Sequence, residues 1–136
     1  MANSLGGGLE TRGLTTVTDS RFENCTATLS GGAAYVGGGA ATFTGVTFKG
    51  NRAFEGAGIF AQSGSITVKG SVFEGNVATA TNSDPDLFVR SGVTVDACEN
   101  TAESDLLNSC SGAATMLWSA ATSTALALGL AAALFA

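Results

Sequence analysis

Histidine is missing from this chain altogether, and proline occurs once. Without an imidazole the chain lacks the commonest general base and the commonest neutral metal ligand. Basic residues are also scarce. Six Lys and Arg stand against eleven Asp and Glu, for a net charge of −5 over 136 residues. The six are scattered, which argues against nucleic acid as a partner, because that needs a clustered basic face. The same scatter leaves no polybasic patch for anionic lipid. Three cysteines without a histidine make a poor zinc site, so neither metal nor cofactor is expected. The N-terminus, MANSLGGGLETRG, carries neither the basic nor the apolar region of a secretory leader, and the chain reads as a fragment of a longer protein.

What the chain does have is glycine, 19 of them, and repetition. VTFKGN at 46–51 returns as SVFEGN at 71–76, with a looser copy, SRFENC, at 20–25. Aligned on phenylalanine, the copies fall at Phe22, Phe48 and Phe73, spaced by 26 and 25 residues. Asn51 and Asn76 follow three residues after their Phe, where the first copy has Cys25. A glycine-rich opening precedes each next segment: GGGL at 6–9, GGAAYV at 31–36 and GAGIF at 56–60, with DPDLFV at 84–89 as a fourth counterpart. Short alternating runs follow these openings: TTVT at 15–18, ATFT at 41–44, SITV at 65–68 and GVTV at 92–95.

A repeat of this length marks a stacked architecture. Alternation of period two, rich in Thr, Val, Ile and Phe, builds it from strands, and no helical stripe runs through any unit. A unit of 25 or so residues holds three short strands and three bends, one coil of a parallel β-helix. The expectation is therefore all-β: a short right-handed parallel β-helix of about three and a half coils over 6–102, followed by a C-terminal hydrophobic helix. Residues 1–5 read as disordered, 103–112 as a linker, and 113–136 as a hydrophobic segment. Coils stack at about 4.8 Å, so Phe22, Phe48 and Phe73 are expected to form an interior column. Asn51 and Asn76 are expected at a bend, each amide bonding the coil above or below.

The pairing of GGA-hydrophobic with F-x-x-N resembles the chlamydial polymorphic outer membrane protein repeat. Phe48-Lys-Gly-Asn51 and Phe73-Glu-Gly-Asn76 match its second motif and Gly31-Gly32-Ala33 its first, while Gly56-Ala57-Gly58-Ile59 matches loosely. FENC at 22–25 departs at its last position, DPDLFV replaces the glycine pair, and Cys98 stands near where a fourth Phe is due. The resemblance implies a right-handed β-helix of the pectin-lyase-like class and a surface passenger domain whose activity is adhesion. The β-barrel that follows in that family is replaced here by one apolar segment.

That segment, Met116 to Ala136, runs 21 residues without a charge, enough for a helix of about 30 Å, the thickness of a bilayer core. Three readings stand. It is a helix packed on the end of the β-helix, a transmembrane helix, or a lipid-anchor attachment signal of small residues, spacer and apolar end. The last is favoured, with Asn108 or Ser109 as the attachment residue.

Of the cysteines, Cys98 and Cys110 flank the end of the array. They form either a disulfide, as a surface protein in an oxidising compartment allows, or two unpaired small residues. Cys25 lies too many coils away to join them and fills the place of an Asn. Asn24-Cys25-Thr26 fits the N-glycosylation sequon, although a bend residue without sugar is favoured. Asp84, Asp86 and Asp96 are the acids that paired-carboxylate chemistry would use, but Asp84 and Asp86 flank Pro85 and read as turn residues. Arg21, Arg52 and Arg90 share no repeat position. The reading is thus a non-enzymatic, membrane-anchored protein of the cell surface or extracellular space, structural or adhesive, with a surface protein or a glycan as ligand. Its competitor is the remnant of a carbohydrate-active β-helix enzyme.

Overall fold

The computed structural model describes residues 4–102 and 105–108, and over them the backbone winds as a parallel β-helix. The first coil holds β1 (Leu9–Thr11), β2 (Thr15–Thr18) and β3 (Arg21–Glu23). The second holds β4 (Ala34–Val36), β5 (Ala40–Thr44), β6 (Thr47–Lys49) and β7 (Arg52–Ala53). The third repeats this with β8 (Ile59–Ala61), β9 (Ser65–Lys69), β10 (Val72–Glu74) and β11 (Val77–Ala78), and the fourth has β12 (Leu87–Val89) and β13 (Thr94–Cys98). Equivalent strands stack into ladders ordered β1-β4-β8-β12, β2-β5-β9-β13, β3-β6-β10 and β7-β11, every pairing parallel. The winding thus makes about four turns.

Corners separate the strands, and the repeat places left-handed residues at them. Asp19, Gly45, Gly70 and Glu99 form one corner column with φ of 48°, 64°, 57° and 60°; Asn24, Gly50 and Gly75 form another at 56°, 64° and 65°. Glycine takes this conformation without a Cβ clash, and Asn and Asp tolerate it. The looser first copy is explained by this: in FENC, Asn24 stands for the corner glycine and Cys25 for the asparagine.

Inside, Phe22, Phe48 and Phe73 occupy one register position. Their rings stack at 5.4 and 4.5 Å between centroids, and Phe43 meets Phe48 edge-on at 5.6 Å. Phe48 is fully buried, and Ile59, Ile66, Val68 and Leu87 pack in the same cluster. Each such side chain contributes about 1.5–3 kcal/mol by burial, and stacked rings add roughly 0.5–1.5 kcal/mol per pair.

The fourth coil opens in the expected register, Leu87 on Ile59 and Phe88 on Phe60, and departs from the sequence expectation after β12. The step from Ala34 to Ile59 is 25 residues and that from Ile59 to Leu87 is 28, so the preceding corner is longer. The strand expected at 92–95 runs instead over Thr94–Cys98, because Gly92, at φ 91°, is spent on the turn. Cys98 consequently pairs with Lys69 rather than at the Phe level, and Thr101 pairs with Val72. The residue that follows at the Phe73 level is Ala102, which packs against the core.

Both ends of the array extend further than the sequence indicates. Leu5 already pairs with Ser30, and Ser4 is hydrogen-bonded to Thr28 and Leu29. Within the expected linker, Asp105–Asn108 forms a 3-10 turn, and Leu107 is fully buried in the core cluster. The expected hydrophobic helix at 113–136 lies outside the described residues. Among the described residues no helix is long and apolar enough to cross a membrane.

Candidate functional site

Two ladders of polar side chains fasten the corners. In the first, the Asn51 Oδ1 accepts the N–H of Cys25 at 2.9 Å, and its Nδ2 donates to the Phe22 carbonyl at 3.0 Å. One coil on, the Asn76 Oδ1 accepts the Asn51 N–H and Nδ2, both at 3.0 Å, and the Asn76 Nδ2 donates to the Phe48 carbonyl at 3.0 Å and to the Asp86 Oδ1 at 3.1 Å. In the second, the Ser71 Oγ accepts the Val46 N–H at 3.1 Å, the Asn100 Oδ1 accepts the Ser71 N–H at 2.9 Å, and the Asn108 Oδ1 accepts the Asn100 N–H at 3.0 Å. Every acceptor serves the coil before it. Asn51, Ser71, Asn76, Asp86 and Asn100 are all buried, where an unmet backbone donor would cost about 1–3 kcal/mol. The second ladder was not expected from the sequence, because serine and asparagine share its column and neither falls in the F-x-x-N motif.

The other residues singled out in the sequence do not converge. Asn24 is exposed at its corner and donates its N–H to the Lys49 carbonyl at 2.9 Å. Cys25 is half-buried and is the free cysteine among the described residues, with partial burial holding its thiol pKa above the usual range. Cys98 ends β13; Cys110 and Ser109 lie outside the described residues. The Asp84 Oδ1 accepts the N–H of Asp86 at 2.9 Å and that of Leu87 at 3.4 Å, an Asx turn. Asp96 sits on β13, 3.8 Å from the Lys69 Nζ, and its other carboxylate oxygen is buried without a hydrogen bond.

A concave feature lies outside the coil, beside the β1-β4-β8-β12 sheet. Glu10, Tyr35, Phe60 and Phe88 share one register position and point away from the axis. The Tyr35 and Phe60 rings stack at 5.5 Å, and so do those of Phe60 and Phe88. One residue past the strands, Arg12 and Arg90 hold equivalent places in the first and fourth coils. Arg12 lies over Tyr35 at 5.6 Å and Arg90 over Phe60 at 5.4 Å, within cation–π range. Arg90 also pairs with Glu55 at 3.4 Å. Beside this column runs a groove of about 300 Å³ whose lining includes Leu29, Tyr35, Phe54, Glu55, Phe60 and Arg90. Leu29 and Phe54 are exposed on its rim. Apolar walls with a few placed polar groups are the usual make-up of a binding surface. The signal was present in the sequence as the aromatics of GGAAYV, GAGIF and DPDLFV. Comparing Arg90 with Arg21 and Arg52, rather than with Arg12, hides the cationic half of the pattern.

A family model described as a right-handed beta helix region matches residues 1–127. No curated protein and no solved structure matches the chain.

Proposed function

The chain belongs to the right-handed β-helix family, and on that premise we propose that it is a non-catalytic, membrane-anchored surface protein with an adhesive or structural role. The observation that carries the reading is the groove beside Tyr35 and Phe60, whose lining includes the Arg90–Glu55 pair. It offers apolar wall, cation and carboxylate to a protein or glycan partner. Further support comes from the late acids, which have structural work: Asp84 caps a turn, Asp86 accepts from Asn76, and Asp96 faces Lys69. Paired catalytic carboxylates would instead face one another across a cleft. The GGA and F-x-x-N motifs add the likeness to surface passenger repeats.

Anchoring rests on the charge-free run from Met116 to Ala136. Attachment at Asn108 or Ser109 sets the last coil directly at the bilayer, because Asn108 is already bonded to that coil through Asn100. Cells expressing the full reading frame are treated with phosphatidylinositol-specific phospholipase. Release from the surface supports the lipid anchor, and retention points to a spanning helix. Adhesion is read by binding of cells or glycan arrays to the purified chain, with Phe54→Ala and Arg90→Ala each reducing it several-fold. Hydrolysis or elimination of a polysaccharide by the chain would replace the adhesive reading with the enzymatic one.

A further inference from the structure

Five of the six basic side chains sit in ion pairs: Arg12 with Glu10, Arg21 with Glu23, Lys49 with Glu74, Lys69 with Asp96 and Arg90 with Glu55. Arg52 is the exception. Its side chain is exposed, and it pairs with no carboxylate among the described residues. The surface around it is apolar. β7 turns Arg52 outward and Ala53 inward, where Ala53 packs with Ala27 and Ala57. Side chains alternate along an extended chain, so Phe54 is the next outward residue. Val77 stands beside Arg52 in the third coil and Thr26 in the first. Phe54 is 51% exposed, Val77 45% and Leu29 40%. They are three of the five large hydrophobic residues left exposed among the described residues, and such clustering marks an interaction surface. Phe54 also belongs to two grooves. One is the groove beside Tyr35 and Phe60. The other, of about 270 Å³, is lined by Thr26, Thr28, Arg52, Ala53 and Thr79.

We propose that this surface binds a short extended peptide in which an Asp or Glu lies close to an apolar side chain. The peptide crosses Phe54, seats its carboxylate on the Arg52 guanidinium and lays its apolar side chain in the groove beside Tyr35 and Phe60. The proposal rests on the adhesive reading above and names the partner.

Charge complementarity selects this occupant. On a chain of net charge −5 the one uncompensated cation calls for an anion, and a guanidinium takes a carboxylate through two parallel hydrogen bonds. In the other groove Arg90 is already neutralised by Glu55, so that groove takes the apolar residue and Arg52 the charged one. A dianion such as a phosphate is disfavoured, because it would have one free arginine to pair with and the Glu55 carboxylate nearby. A hydroxyl-rich glycan is disfavoured too. Around Arg52 the fixed polar side chains are threonine hydroxyls, whereas Leu29, Phe54 and Val77 favour apolar contact. The peptide does not add as a strand: β7 already pairs with β11 on one side and with Thr26 on the other. Recognition is therefore by side chains, and sequence specificity follows from the spacing between acid and apolar residue.

The test is fluorescence polarisation of labelled hexapeptides against the full chain. Each peptide carries one Glu and one Leu in a Gly-Ser background, and the set covers every separation and both orders. At the best separation the Glu peptide binds about tenfold tighter than its Gln counterpart. Arg52→Gln brings the Glu peptide down to the affinity of the Gln peptide, and Arg52→Glu makes the Lys counterpart the preferred one. Circular dichroism is the folding control, since the Arg52 side chain is exposed. Absence of binding by every peptide up to millimolar concentration overturns the proposal. So does a Glu-over-Gln preference that survives Arg52→Gln. Binding of cells or glycan arrays to the chain, unmoved by Arg52→Gln and by excess peptide, overturns the peptide assignment while the adhesive reading stands. A chain that binds peptides, cells and glycans not at all overturns both.

Discussion

Replacing Asn51 by alanine tests the mechanism that holds the coils in register. Asn51 is fully buried, and its side chain makes three hydrogen bonds: from the Cys25 N–H, to the Phe22 carbonyl, and to the Asn76 Oδ1. Alanine removes all three. The Asn76 oxygen keeps the Asn51 N–H as a partner, so the loss falls on the Cys25 donor and the Phe22 acceptor. At about 1–3 kcal/mol for each buried group left unmet, and less for Cys25 because it is half-exposed, the expected cost is roughly 3 kcal/mol. For a domain of this size that lowers the melting temperature by about 12–24 °C. Asn51→Asp is the sharper variant. It keeps an acceptor for Cys25 but aims carboxylate oxygens at the Phe22 carbonyl and the Asn76 Oδ1, so it destabilises at least as much as alanine. Urea unfolding of the full chain, followed by circular dichroism, gives both numbers, with unchanged denaturant slopes showing that only stability has moved. If either variant lies within about 1 kcal/mol of the parent, the amide is ornamental and the ladder account fails.

The phenylalanine column should grade by depth: Phe48→Ala costs about 3–5 kcal/mol, while Phe22→Ala, half-buried in the first coil, costs clearly less in the same urea titration. Gly58→Ala places a Cβ 2.4 Å from the Asp86 carbonyl oxygen and should prevent folding, whereas Gly75→Ala, with open space but φ 65°, costs only about 1 kcal/mol; expression yield and melting temperature separate them. Burial holds the Cys25 thiol protonated above its ordinary range, so alkylation at neutral pH is slower than for a free cysteine. The folded state binds that proton more tightly than the unfolded state does. The associated stability is therefore present at neutral pH and is lost as pH rises through the folded-state value, which melting temperatures across the alkaline range check. In the chain before any lipid attachment, a Cys98–Cys110 disulfide leaves one thiol reactive before reduction and three after it, and unpaired cysteines leave three throughout, by colorimetric titration of the denatured chain.

Periodicity made the winding legible before any coordinate, for a simple physical reason. Stacking puts residues of like number directly above one another, so the demands of one corner or one core position recur at a fixed spacing. Phe22, Phe48, Phe73, Asn51 and Asn76 announce their columns because each column carries one residue type. The columns that sequence reading missed mix their types. Ser71, Asn100 and Asn108 share a rung by hydrogen-bonding function rather than identity, and Arg12 and Arg90 share a position with Gly37 and Gln62 between them. The strand after Gly92 was misplaced because the corner from β12 to β13 is one residue longer than that from β8 to β9, and no residue type marks where the extra residue goes. Sequence alone thus determined that the chain is β, repeated and stacked. Only the tertiary structure decided which outward side chains form a groove and that Leu107 and Asn108 join the last coil. Those are contacts between coils, and a contact depends on register, which a string of letters carries only where the same letter returns.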